Sequence, residues 1–275
     1  MILRRLPLFL LSVMAVAMWT MGAVQAQDLD LGADDGSGDD VLDLEPEYDA
    51  LDPEEIDALL RDGIKRLEND EHLGAALRFF DVVTAGDPGL DSVQEAQFRL
   101  GVALFSLGLT QSALTQFEGL VAVGSAQRRY RDILPYLLRI SRASDGDTSV
   151  LARIATYPPE FYPQETADEL HFLVGQYYFG EGAWNDALAR FQRVSERDGD
   201  FYVRARYLEG VIHVHESRLK TNPTSADASR LKRAADAFKA VLRFQRDQGS
   251  SETIDKVAAM STLALGRLFF STRQY

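Results

Sequence analysis

His213 and His215 are the closest pair of imidazoles in the chain, and binding a metal ion would be their shared chemistry. Two residues along a helix turn through about 200°, so the rings diverge and cannot close on one ion. Paired carboxylates can do acid–base work. Here Asp52, Glu54 and Glu55 stand at the start of a helical apolar pattern. Carboxylates there favour the positive end of the helix and need no catalytic role. Asp34-Asp35-Gly36-Ser37-Gly38-Asp39-Asp40 offers oxygen ligands but lacks the ligand spacing of a calcium loop. Gly180-Glu181-Gly182 opens a dinucleotide-like pattern, yet no strand precedes it and Asn185 replaces the third Gly. It reads as a turn between helices. Nucleophile-elbow, paired-histidine zinc and phosphate-loop motifs are absent. The expectation is a protein that is not an enzyme, with no catalytic residues, metal or cofactor and no evident small-molecule substrate.

The elements are set by a recurring pair of small residues followed by an aromatic. Gly101 precedes Ala113 by twelve residues, and Gly175 precedes Ala187 by twelve. Phe117 and Phe191 come four residues after each Ala, and the two copies lie 74 residues apart, or two periods of 37. Val150 and Ile154 hold the register between them, and Ala76 and Phe80 hold it one period earlier. A fixed period in this range means stacked helix pairs. Antiparallel helices approach closely only where side chains are small, so Gly101 and Ala113 mark a crossing, and Phe117 fills the space beside it. Phe98, Val102 and Phe105, then Leu114, Phe117 and Val121, run at helical spacing, with Gly108 at the turn.

Gly101, Leu104, Ala113 and Phe117, and again Gly175, Tyr178, Ala187 and Phe191, resemble the tetratricopeptide repeat pattern over residues 56–275. In the first unit Ala76, Phe80 and Pro88 match, but Ile64 stands at the small position with Gly63 beside it. The period exceeds the usual one of about 34, which implies longer loops. The resemblance implies an all-α, right-handed solenoid of helical hairpins, with units at about 56–90, 93–126, a degenerate 128–158, 166–199, 201–247 and a half-unit 252–275. In the degenerate unit the small pair is gone, and Pro158-Pro159 ends the helical pattern. In the next, Gly210 and Ala234 are 24 apart. Thr221-Asn222-Pro223-Thr224 predicts a turn, and Ser225 or Asp227 a cap, in a lengthened hairpin ending near Arg246. Gly266 and Phe269 repeat the first-helix pattern without a following second helix. This predicts an uncapped final helix, self-association through it, and a chain that natively continues past Tyr275.

Residues 1–26 predict an export signal. Arg4 and Arg5 precede the apolar run Leu6 to Ala17, and Val24-Gln25-Ala26 is a small-residue cleavage site. An uncleaved anchor is the alternative. With no Cys the chain is not a lipoprotein and forms no disulfide. Residues 27–57 hold 14 Asp or Glu and no Lys or Arg. The net charge of −13 is therefore concentrated there, and the rest is nearly neutral. Residues 27–52 read as an acidic, disordered leader, ahead of an array over 53–275. Nucleic acid is a poor partner for such a charge.

In the family, first helices line a concave groove. The matching positions are Glu95, Phe98, Val102 and Phe105; Glu169, Phe172, Gln176 and Phe179; Arg204, Tyr207, Val211 and Val214; and Met260, Leu263, Arg267 and Phe270. These rings either face a peptide in the groove or pack between units, with Phe98, Phe172 and Tyr207 the more exposed. The expected function is a non-enzymatic periplasmic scaffold that binds a protein or peptide partner within a cell-envelope assembly. The alternative is the recognition arm of an envelope enzyme, for example one acting on peptidoglycan, whose catalytic part is absent from this chain.

Overall fold

A computed structural model describes residues 51–144, 148–218, 225–249 and 251–272. The export signal, nearly all of the acidic leader with its calcium-like Asp run, and the Thr221–Thr224 turn lie outside the described residues. Those residues form eleven α-helices and no strand. No described helix is long and apolar enough to cross a membrane. The chain divides into two compact units, one ending at Gln116 and one beginning at Phe117.

The first unit holds α1 (Pro53–Glu68), α2 (His72–Ala85), α3 (Asp91–Ser106) and the start of α4 (Thr110–Val123). α1 opens on a capping box. Asp52 Oδ1 accepts from the Glu55 amide at 2.8 Å, and the Asp52 amide donates to Glu55 Oε2 at 3.2 Å. The carboxylates at this helix start thus satisfy free backbone donors. α1 packs on α2, α2 on α3, and α1 also touches α3. Ile56, Phe79, Val82, Val93, Ala96 and Leu100 form the core. A Cβ on Gly63 would lie 2.5 Å from the Phe79 ring. This corrects the register expected for the first unit. The small–small–aromatic set is Gly63, Ala75 and Phe79, with Ala75 fully buried, whereas Phe80 is 49% exposed. The interval from here to Gly101 and Phe117 is 38 residues.

The second unit continues α4 and adds α5 (Tyr130–Ala143), α6 (Thr148–Ala155), α7 (Ala167–Gly180), α8 (Trp184–Phe191), α9 (Gly199–Arg218), α10 (Ser225–Gln248) and α11 (Glu252–Thr272). α5 is strongly two-faced. It buries Ile133, Leu134, Leu137 and Ile140 and exposes Arg131, Arg139 and Arg142. After α6, Pro159–Phe161 make one 3-10 turn, where the proline pair ends the helical pattern.

Each helix from α5 to α11 packs on the next, and α7 also touches α9, as α9 touches α11. Gly182 joins α7 to α8 with φ 73°, a left-handed conformation that favours glycine. At Gly175 a Cβ would meet Phe191 at 2.5 Å; at Gly210 it would meet Phe238 at 2.5 Å. The long spacing from Gly210 to Ala234 is thus absorbed as extra helix. α9 has 20 residues and α10 has 24, against 14 and 8 for α7 and α8. Ser251 caps α11 by accepting from the Ile254 amide at 3.1 Å, and its hydroxyl donates to Asp200 on α9 at 2.8 Å. Gly266 does not act like its counterparts. It is exposed, and nothing lies within 4 Å of where its Cβ would be.

Candidate functional site

In the second unit the odd-numbered helices lie side by side, through the α7–α9 and α9–α11 contacts. The residues that tie this layer are polar and aromatic. Arg142 on α5 grips Glu169 on α7 with two hydrogen bonds, one from Nε at 2.7 Å and a second from Nη2. This bidentate geometry orients as well as attracts. Arg204 on α9 lies 4.4 Å over the Phe172 ring of α7 and 5.9 Å from Phe201. Burial pushes the Arg204 pKa down, with Asp200 opposing, and the guanidinium gains instead from the ring face.

The expected site residues separate by depth. Phe172 is 1% exposed and packs on Phe191 and Phe201 at 6.1 and 5.3 Å. Phe98 is buried as well. These two rings are core, which corrects the expectation that Phe98 and Phe172 are among the more exposed. Tyr207 is half-buried and lies 5.7 Å from Phe238, packed against the α10 and α11 cores. Val102, Phe105, Gln176, Phe179 and Val211 are half-buried, with Phe179 set edge-on to Trp184 at 5.2 Å. Leu263 is 56% exposed, and Arg267 is exposed. Glu95 takes the Arg99 Nε at 2.6 Å on its own helix. Met260 and Phe270 lie on the same exposed face of α11 as Leu263. The structure therefore gathers Gln176, Phe179, Val211, Leu263 and Arg267 on the odd helices of the second unit as accessible positions. Val102 and Phe105 stand on α3 of the first unit.

The histidine pair diverges as its spacing requires. His213 is buried, 3.9 Å from Glu216, and burial lowers its pKa. His215 is exposed and lies 4.9 Å from the Trp184 ring. No group of described residues could hold a metal ion. A depression of about 260 Å³ is lined by Glu196, Tyr202, Arg243, Phe244, Asp247 and Gln248. Its walls carry both charge signs and no Ser, Cys or His.

Two features escaped the sequence reading. Leu73, Leu77 and Phe80 form an exposed apolar stripe on α2. Its i, i+4, i+7 spacing was visible, but the same spacing describes a buried face. The second is an aromatic and cationic cluster around Tyr162. His171 lies 5.0 Å from the Tyr162 ring, and Arg190 Nη1 donates to the Tyr162 hydroxyl at 3.3 Å. Burial drives the His171 pKa down to about 4, with Arg190 and Arg193 adding to the effect and Asp168 opposing it. Nothing in the chain order pairs residues so far apart. The chain matches no known protein-family model, and no curated protein matches it.

Proposed function

We propose that this chain is a non-enzymatic scaffold that binds a peptide or a helix of a partner protein along the odd-helix face of its second unit. The observation that carries this reading is the side-by-side contact of α7 with α9 and of α9 with α11. That contact sets repeat-equivalent positions next to one another. Gln176 and Val211 occupy equivalent places on α7 and α9, and Leu263 and Arg267 extend the row on α11. Half-buried apolar groups beside fixed polar ones suit an amphipathic helix or an extended peptide. The recurrent Gly–Phe contact supports reading the array as a tetratricopeptide-like solenoid, in which this layer is the inner one. The N-terminal sequence supports export, and we place the protein in the periplasm as part of a cell-envelope assembly.

The test is chemical crosslinking of the full chain in intact cells, followed by purification. A discrete partner should be recovered with the unaltered chain and lost with Val211→Asp combined with Leu263→Asp. Leu263 is exposed, whereas Val211 is half-buried against the α10–α11 core, so circular dichroism and denaturation must verify folding, and Leu263→Asp with Arg267→Glu replaces the pair if Val211→Asp unfolds the chain. Equal recovery by the double variant, with the fold intact, would contradict the proposal.

A further inference from the structure

We propose that the Phe161–Tyr162 turn and the three arginines around it form a docking surface for an acidic, carboxylate-rich peptide segment of a partner protein. This surface is separate from the odd-helix face and does not rest on that reading. Arg131, at the start of α5, lays its guanidinium 4.0 Å over the Phe161 ring. Arg190, near the end of α8, donates to the Tyr162 hydroxyl at 3.3 Å and lies 5.7 Å from that ring's centre. Arg193 follows one turn later, its amide bonded to the Arg190 carbonyl at 3.1 Å. Tyr130 meets Phe161 edge-on at 6.0 Å and stacks on the buried Tyr157 at 4.2 Å, so the floor under the cations is packed.

Two neighbouring arginines are already paired. Arg129 is neutralised by Asp132 at 2.9 Å, and Arg197 faces Asp168 at 4.0 Å. Asp168 is itself held by the Ser195 amide and hydroxyl at 2.8 and 2.7 Å. Among the described residues no carboxylate comes within ion-pair distance of Arg131, Arg190 or Arg193. Arg131 and Arg193 are exposed and Arg190 is half-exposed. A guanidinium stacked through its face keeps its N–H edge for a carboxylate, and the ring fixes its orientation beforehand. Two stacked guanidiniums, with the Arg193 charge close enough to act on Tyr162 and His171, match several carboxylates on a short segment. The basic groups are confined to one turn of a helical part that is nearly neutral overall, whereas an extended polyanion, such as an anionic membrane or a nucleic acid, needs a wider basic face. A short peptide feels mainly the field within a screening length of about 8 Å.

The test titrates a fluorescein-labelled oligoglutamate peptide with the full chain, read by fluorescence anisotropy. Saturable binding is expected at about 0.15 M salt, with strong weakening at about 1 M, where the screening length falls to about 3 Å. Arg131→Gln, Arg190→Gln and Arg193→Gln together should weaken the dissociation constant at least about tenfold. Replacing exposed Arg61, Lys65 and Lys256 with Gln removes the same charge elsewhere and should change it less than about twofold. Circular dichroism verifies folding. If the first triple variant fails to fold, Arg193→Gln alone should still weaken binding about threefold. Absence of saturable binding, equal losses in the two triple variants, or binding of anionic lipid vesicles in place of the peptide would each overturn the proposal.

Discussion

At the residue scale, the glycines divide by what faces them. Gly63, Gly175 and Gly210 each lie against a phenylalanine ring that a methyl group would strike. Gly175→Ala would put a Cβ 2.5 Å from Phe191 Cε1. Overpacking of this kind should cost about 1–3 kcal/mol in chemical denaturation. Gly266→Ala meets open space and should instead stabilise by about 0.5–1 kcal/mol through helix propensity. The same sign for both substitutions would show that the ring contact does not set the packing. His171 makes a second prediction. Its folded pKa of about 4 lies below its ordinary 6.5, so the unfolded chain binds a proton first on acidification. The stabilisation is complete above about pH 6.5 and declines as pH falls toward 4, at up to roughly 1.4 kcal/mol per pH unit. Between pH 6.5 and 5 His171→Phe should flatten the fall in stability. A slope unchanged by this variant would mean that His171 is not kept neutral by the fold. Asp168 from α7, Tyr162, Arg190 and Arg193 are the titratable and charged groups that bear on it.

At the element scale, the helix pairs depend on close crossings. Ala187→Leu enlarges a fully buried site on α8 and should cost about 1–3 kcal/mol. Glu181→Ala, in the exposed turn before it, should cost under about 0.5 kcal/mol. Similar denaturation midpoints for the two would mean that Ala187 does not mark the crossing. Most of this was legible in the sequence. The spacing of Gly175, Ala187 and Phe191 is what two close-packed helices require, and the lengthened α9 and α10 followed from Gly210 and Ala234. The first unit misled because Ala75-Ala76 and Phe79-Phe80 satisfy the pattern in two registers. Only the ring seated on Gly63 chooses between them. The depth of Phe172 was also out of reach. A ring at a first-helix position is covered or bare according to its neighbours, and here Arg204 and Phe201 cover it. The Tyr162 cluster joins segments with no shared period, so periodicity carries no trace of it.

At the scale of the whole molecule, the charge lies mostly in the N-terminal acidic segment, while the helical part is nearly neutral. Its second unit presents accessible positions on α7, α9 and α11 that recur at equivalent places, and this row is the basis of the binding proposal. The most direct measurement is site-specific photocrosslinking in cells, with the photoreactive residue placed in turn at Gln176, Val211 and Leu263 on the row, and at Glu181 and Asp186 off it. Leu263, Glu181 and Asp186 are exposed, and Gln176 and Val211 are half-buried, so all five side chains reach the surface. The account predicts one common adduct from the three odd-helix positions and none from the other two. Adducts of equal yield from Glu181 and Asp186, or different partners from each of the three, would contradict it.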